Sequence, residues 1–302
     1  MSELAFDISP CTEVGQRMDE LLSLGIQSCG MGELYPTWYY KSATPNPSVE
    51  TITREIQKHK MKVVTMHGVG GFVAREPHRQ SEVLPHLKSE VDRAVAWGSP
   101  VIVFHFRAAH MACTRTEMAD LTSFIGQMGA ETYDGMFQET LAQLCDYAAT
   151  RGVTVHLEAM GPPCSYATSV EQMLPTLRKL NHEHLGVCAD AAHLYCSGHN
   201  PAEQIRLSKG FPLTLHLNDN LGPIPPNYDI YDSDLHLVIG FGTIDWVQVI
   251  LALRAVDYHG PIFVEGGNYP GGNFKEAAEL TIRNWRIFEL LADSLSSRWS
   301  SR

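Results

Sequence analysis

The sequence predicts an α/β protein built as one (β/α)8 barrel, a single domain over residues 1–302, and three observations lead there. Short β-rich runs alternate with amphipathic stretches of helical period, the pattern of a parallel sheet whose crossovers are helices. Eight such strand-then-helix units follow one another, enough to close a barrel. No linker divides the 302 residues, a length that barrels reach as one unit.

In order, LAFDIS (4–9) precedes TEVGQRMDELLSLG, and IQSCGM (26–31) precedes an aromatic loop and PSVETITREIQKHK. KVVTMHG (62–68) precedes LPHLKSEVDRAVAWG, and PVIVFHF (100–106) precedes TYDGMFQETLAQLCDYAATRG. TVHLEAM (154–160) is followed by SVEQMLPTLRKL, and LGVCADAAH (185–193) by PAEQIRLSKG. LTLHLND (213–219) leads through a Pro-rich loop to IDWVQVILALRAVDY, and PIFVEGG (261–267) to NFKEAAELTIRNWRIFELLADSL. Thr243 reads as the N-cap of the seventh unit's helix, with Asp245 in its first turn and Gly240 and Gly242 allowing a tight approach. An open doubly wound sheet is the competing fold, but SPCTEVGQ after the first run offers no GxGxxG turn for a nucleotide. The long irregular stretches 33–47, 107–132 and 222–234 all follow strands, at the end of a barrel where sites are built.

Composition bounds the class. Hydrophobic residues make up 44% and charged residues 19%, the balance of a soluble globular protein with no run approaching the roughly 20 apolar residues of a membrane span. MSELAFDISP lacks a basic region followed by an apolar one, and the seven cysteines form no CxxC pair. Free thiols in the cytoplasm are therefore expected. A net charge of −11 works against a polyanionic partner. Homo-oligomerisation stays open.

From the third strand onward, each apolar run ends in an acid or a histidine: His67, His105, Glu158, Asp190 with His193, His216 and Glu265. Residues two apart on a strand share a face, so Val103 and His105 point together, as do His156 and Glu158, Thr214 and His216, and Phe263 and Glu265. Phe104, Leu157, Leu215 and Val264 then face the helices. Polar groups turned into a barrel are costly unless something there binds them. A divalent metal, Zn, Mn, Co or Fe, suits carboxylates and neutral imidazoles together. His156 reads as a hydrogen-bonded core residue and Cys188 as packing. Arg107, two past His105, is positioned to reach a phosphate or the Glu158 carboxylate.

GVCADAAHLYCSGHN (186–200), LHLNDN (215–220), DLHLVIGFGTIDW (234–246) and IFVEG (262–266) resemble the xylose isomerase-like TIM-barrel superfamily. That superfamily holds sugar and sugar-phosphate isomerases and epimerases and, as a sister branch, endonuclease IV-type enzymes that cut abasic DNA. The resemblance implies a metal on Glu158, Asp190, His216 and Glu265, with the two glutamates shuttling protons beside a carbonyl whose enediolate the metal stabilises. It also implies that His67, His105, His193, Asp234 and His236 match the further ligands of the three-zinc endonuclease branch. Four carboxylates against three divalent ions would leave about +2, suited to a phosphate or an enediolate.

Two departures oppose the endonuclease branch: HGVGGF stands where that branch has a Pro-Tyr loop, and AMGPPCSY stands after Glu158. No Lys/Arg cluster accompanies Tyr35, Trp38, Tyr39 and Tyr40 beyond Lys41. Epimerases of known sugar usually carry an Arg soon after the seventh strand's His, and residues 217–253 contain none. The expectation is a metal-dependent isomerase or epimerase of a small sugar, keto sugar or sugar phosphate. Trp38, Tyr231 and Arg107 are its candidate substrate contacts. The alternative is a three-zinc phosphodiesterase.

Overall fold

A computed structural model of the chain describes residues 3–8, 13–32, 47–110, 121–160, 167–223, 233–267 and 269–300. Among them eight parallel strands form the barrel: β1 (Leu4–Asp7), β2 (Ser28–Met31), β3 (Lys62–His67), β4 (Val101–His105), β5 (Thr154–Glu158), β6 (Leu185–Asp190), β7 (Leu213–His216) and β8 (Ile262–Val264). Their order is β8-β1-β2-β3-β4-β5-β6-β7. The seam closes just past β7, where Leu217 bridges Val264. There Leu217 N donates to Phe263 O at 2.9 Å and Glu265 N donates to Leu217 O at 3.1 Å. The (β/α)8 barrel is as the alternation implied.

The helices are α1 (Val14–Ser23), α2 (Val49–His59), α3 (Gln80–Trp97), α4 (Leu121–Met128), α5 (Ala130–Thr150), α6 (Val170–Leu180), α7 (Ala191–Cys196), α8 (Pro201–Leu207), α9 (Trp246–Ala255) and α10 (Phe274–Ser300). Their ends follow local chemistry. Ser48 caps α2 by accepting from Thr51 N, and Ser169 caps α6 by accepting from Gln172 N. Lys60 and Asn181 close the same helices in the left-handed conformation. No helix among the described residues is long and apolar enough to cross a membrane.

Three local expectations are corrected. α4 lies inside the stretch 107–132 read as irregular, and it carries Phe124 against Tyr133 of α5. The chain turns from β6 straight into α7, because Asp190 serves as N-cap and accepts from His193 N. Asp245, not Thr243, caps α9, accepting from Gln248 N at 3.0 Å. Thr243 is instead spent on Asn220 and Tyr195.

The strand faces alternate as expected. Phe104, Leu157, Leu215 and Val264 belong to the core shared with the helices, where Phe72, Phe104, Phe106 and Phe137 meet edge to face. Ala5, Val64 and Phe263 form a separate small core. A Cβ on Gly30 would stand 2.2 Å from the Phe263 ring, and one on Gly186 would stand 2.6 Å from His156 Nε2. Glycine there makes room for a large neighbour. His156 is the core histidine foreseen: burial lowers its pKa to about 4, so it is neutral and its Nδ1–H donates to Val187 O at 3.1 Å. Replacing Gly30 by Ala should cost about 1–3 kcal/mol by overpacking, read as a lower urea midpoint at unchanged slope.

Candidate metal centre

Strand register assembles the centre before any side chain is considered. His105 is paired with Glu158 across β4 and β5, and Asp190 with His216 across β6 and β7. The seam sets Glu265 next to Leu217 and so beside His216. His193 comes from α7, three residues past the Asp190 cap. Asp234 and His236 arrive on a segment folded back by a two-way backbone bridge between Asp219 and Leu237, 2.9 Å each way.

Glu158 is the hub. It is fully buried, and His67 Nε2 donates to its Oε2 at 3.0 Å, with His105 Nε2 3.7 Å from the same oxygen. Its Oε1 lies 3.2 Å from His193 Nδ1 and 3.4 Å from His216 Nδ1. His216 Nδ1 is also 2.9 Å from Glu265 Oε2. On the other side, Asp234 Oδ2 lies 3.1 Å from His193 Nε2 and 2.7 Å from His236 Nε2. All nine acids and histidines picked out from the sequence are thus in one connected cluster.

Their ligand atoms fall into overlapping groups, each within 4.8 Å: Glu158, Asp190, His216 and Glu265; His67, His105 and Glu158; His193, Asp234 and His236. Glu158 also groups with His216 and Cys188, so a thiol does stand at the centre. Burial pushes the Cys188 thiol up to about 12, which keeps it neutral. Among the described residues several buried atoms have no hydrogen-bond partner: Glu158 Oε1, His193 Nδ1, both His216 ring nitrogens, Asp234 Oδ1 and Glu265 Oε2. They lie close to one another but not in hydrogen-bond alignment. Buried lone pairs that converge without pairing fit a cation, which would satisfy them together.

The electrostatics agree. Burial raises Asp190 to about 7, with Glu158, Glu265 and Asp234 reinforcing it against His193. Burial works in the same direction on Glu158 and Asp234, yet the imidazoles around them hold both well below the usual carboxylate range. Burial resists protonation of His236, but Asp234 outweighs it and lifts the group to about 10. Burial drives His105 down to about 3, with His67 adding, so its imidazole is neutral, the form in which histidine coordinates a metal.

The loop after β7 owes its shape to Asp219, a residue not picked out from the sequence. Its buried carboxylate accepts from Asn220 N (2.9 Å), Ile244 N (3.3 Å), Gly240 N (2.8 Å) and Trp246 Nε1 (2.8 Å). A Cβ on Gly242 would meet Asn220 O at 2.2 Å and Asp219 Oδ1 at 2.3 Å, so only glycine passes. His236 adopts φ 45, a left-handed conformation rare outside glycine, and Gly266 faces it, where a Cβ would stand 2.8 Å from His236 Cβ. No local signal marks Asp219, because three of its four donors lie 21 to 27 residues further along the chain.

Arg107 also has positive φ, and its guanidinium pairs with Asp134 of α5 while its carbonyl accepts from Tyr133. Trp38 and Tyr231 lie outside the described residues. A cavity of about 410 Å3 bounded by Glu3, Ser28, Lys62 and Trp285 opens at the strand starts, the opposite end from the cluster. Asp219→Ala should cost at least about 3 kcal/mol by stranding several buried donors. Calorimetry measures that loss.

Known proteins share this architecture. The E. coli 3-keto-D-glucoside 4-epimerase superposes with a TM-score of 0.71 at 14% identity, over 96% of this chain and 100% of the epimerase. A structure of IolI protein with a bound zinc atom superposes with a TM-score of 0.69 at 17% identity, over 95% and 98%. The inosose isomerase of Bacillus velezensis is 22% identical over 78% of this chain and 77% of its own length. An uncharacterised protein of Methanocaldococcus jannaschii is 29% identical over 46% of this chain, a match spanning 45% of that protein. The model of the xylose isomerase-like TIM barrel matches residues 19–285, and the chain belongs to that family.

Proposed function

We propose that the chain is a divalent-metal-dependent isomerase or epimerase of a small sugar, keto sugar or sugar phosphate. The observation that carries this reading is the quartet Glu158, Asp190, His216 and Glu265, with ligand atoms within 4.8 Å and unpartnered polar atoms turned toward one another. Those four residues would hold the cation. The chemistry that Zn, Mn or Co would supply there is Lewis acidity toward a substrate's carbonyl and hydroxyl oxygens, which would make the adjoining C–H more acidic. The inosose isomerase and the 3-keto-D-glucoside epimerase support a keto sugar as substrate, and the zinc in the IolI structure supports a metal.

Glu158 and Glu265 supply the proton transfer. His216, foremost among their neighbours, outweighs burial, holding Glu158 well below the usual carboxylate range and Glu265 near 2, so both are ionised at neutral pH. An ionised carboxylate is the form that takes a proton from carbon. One glutamate would take the proton from carbon and pass it through a substrate hydroxyl to the other, which gives a proton to the opposite face and so inverts the carbon. The same glutamate returning it to the neighbouring carbon isomerises the sugar. Burial of the cluster keeps bulk water from exchanging the proton. Arg107, Trp38 and Tyr231 are proposed to wall the substrate. The free thiols of Cys29, Cys145, Cys188 and Cys196 support a cytoplasmic setting.

A second reading, a three-zinc phosphodiesterase on abasic DNA, is favoured by one observation: the two flanking groups around His105 and Asp234 could hold one ion each. The net charge of −11 weighs against it. Elemental analysis of the purified chain separates the readings: about three zinc ions favour the phosphodiesterase, one exchangeable ion the isomerase.

Glu158→Gln and Glu265→Gln should each lower kcat on keto sugars by about 10²–10⁴-fold, and unchanged turnover would sink the assignment. Metal affinity should weaken as pH falls through about 7, where Asp190 takes up a proton and competes with the cation. Titrating the metal at pH 8 and pH 6 checks the sign.

A further inference from the structure

Asp190 is anchored from two directions. Its Oδ1 accepts the backbone N–H of His193 at 2.7 Å, the cap bond that starts α7. Its Oδ2 accepts from Asn218 Nδ2 at 3.2 Å. Asn218 lies two residues past His216, on the inward face of β7 as the chain leaves the strand, and it is fully buried. The orientation of its amide follows from chemistry: a carboxylate oxygen accepts, so the NH2 and not the carbonyl must face Asp190.

The other half of that amide is unusual. Asn218 Oδ1 is buried and has no hydrogen-bond partner among the described residues. A buried acceptor left unpaired costs about 1–3 kcal/mol, so the side chain is a poor device for stabilising the fold. Its one side-chain bond goes to a carboxylate that belongs to the quartet. Without Asn218, Asp190 would keep only the cap bond on Oδ1. Its plane would then be free to turn about that bond, and the oxygen presented to His216 and Glu265 would change.

We propose, building on the metal-dependent reading above, that Asn218 is a positioning residue for the cation: it clamps Asp190 so that the carboxylate meets the metal in one orientation. Outer hydrogen-bond partners of metal ligands are worth about 10–100-fold in affinity in other metalloproteins, and the clamp belongs to that range. The dipeptide Asn218-Asp219 thus divides two tasks. Asn218 orients a ligand, and Asp219 frames the loop that carries Asp234 and His236.

The test is a double-mutant cycle on cobalt binding by the full chain. After chelator treatment, the unsubstituted chain, Asn218→Leu, Asp190→Asn and the double variant are titrated with Co2+, and melting temperatures are recorded for all four. Asn218→Leu is expected to weaken Co2+ by about 10–100-fold, to alter the visible cobalt spectrum and to leave the melting temperature equal or higher. In the Asp190→Asn background the same change should weaken Co2+ by no more than about twofold, since its route to the metal is gone. If Asn218→Leu does not fold, Asn218→Ser carries the same comparison. Unchanged cobalt affinity overturns the proposal, as does an equal loss in both backgrounds or a loss accompanied by a lower melting temperature. Those outcomes leave the metal-dependent reading standing. Failure of the unsubstituted chain to take up cobalt overturns both.

Discussion

Four carboxylates buried at one end of one barrel are the constraint on which the rest depends. Like charges about 4 Å apart repel by roughly 4 kcal/mol even at an effective dielectric of 20, and Glu158, Asp190, Asp234 and Glu265 cannot all be ionised there unaided. The protein answers with imidazoles set between them: His193 between Glu158 and Asp234, His216 between Glu158 and Glu265. The answer is incomplete, because Asp190 is still pushed toward its neutral form by burial and by the other three acids. A cation held there would complete it, and would link the stability of the fold to affinity for that metal.

Scaffold and site are therefore one problem. The seam between β7 and β8 places Glu265 beside His216, and the Asp219–Leu237 bridge brings Asp234 and His236 to the same mouth. Asp219 accepts hydrogen bonds that leave no freedom in the turn, and Gly242 is the space they require. The left-handed backbone at His236 is tolerated because its carbonyl accepts from Gly267 N at 3.0 Å and Leu237 is pinned next to it. Rigidity at the mouth holds charged groups in positions that they would leave if the loop were free.

Much of this was legible from residue order. A strand ending in His105 or Glu158 puts that side chain at the barrel mouth by period-two geometry alone, and the same parity sends Phe104 and Leu157 outward. Helix ends were less legible. Thr243 and Asp245 are both good caps, and the choice fell to Asp245 because the loop set by Asp219 uses Thr243 elsewhere. Asn218 and Asp219 read as ordinary loop polar residues. Their partners lie 21 to 28 residues away, at Gly240, Ile244, Trp246 and Asp190, and no local pattern points to them.

By itself the sequence determined the alternation of strands and helices, the parity of each strand, and hence which acids and histidines share the barrel mouth. These follow from hydrophobic periodicity, a property of neighbours along the chain. Only the tertiary structure decided which oxygen of Glu158 faces which imidazole, that Cys188 approaches His216, and that Asn218 clamps Asp190. Register across strands and the closing seam set those distances, and register is a relation between segments far apart in the chain.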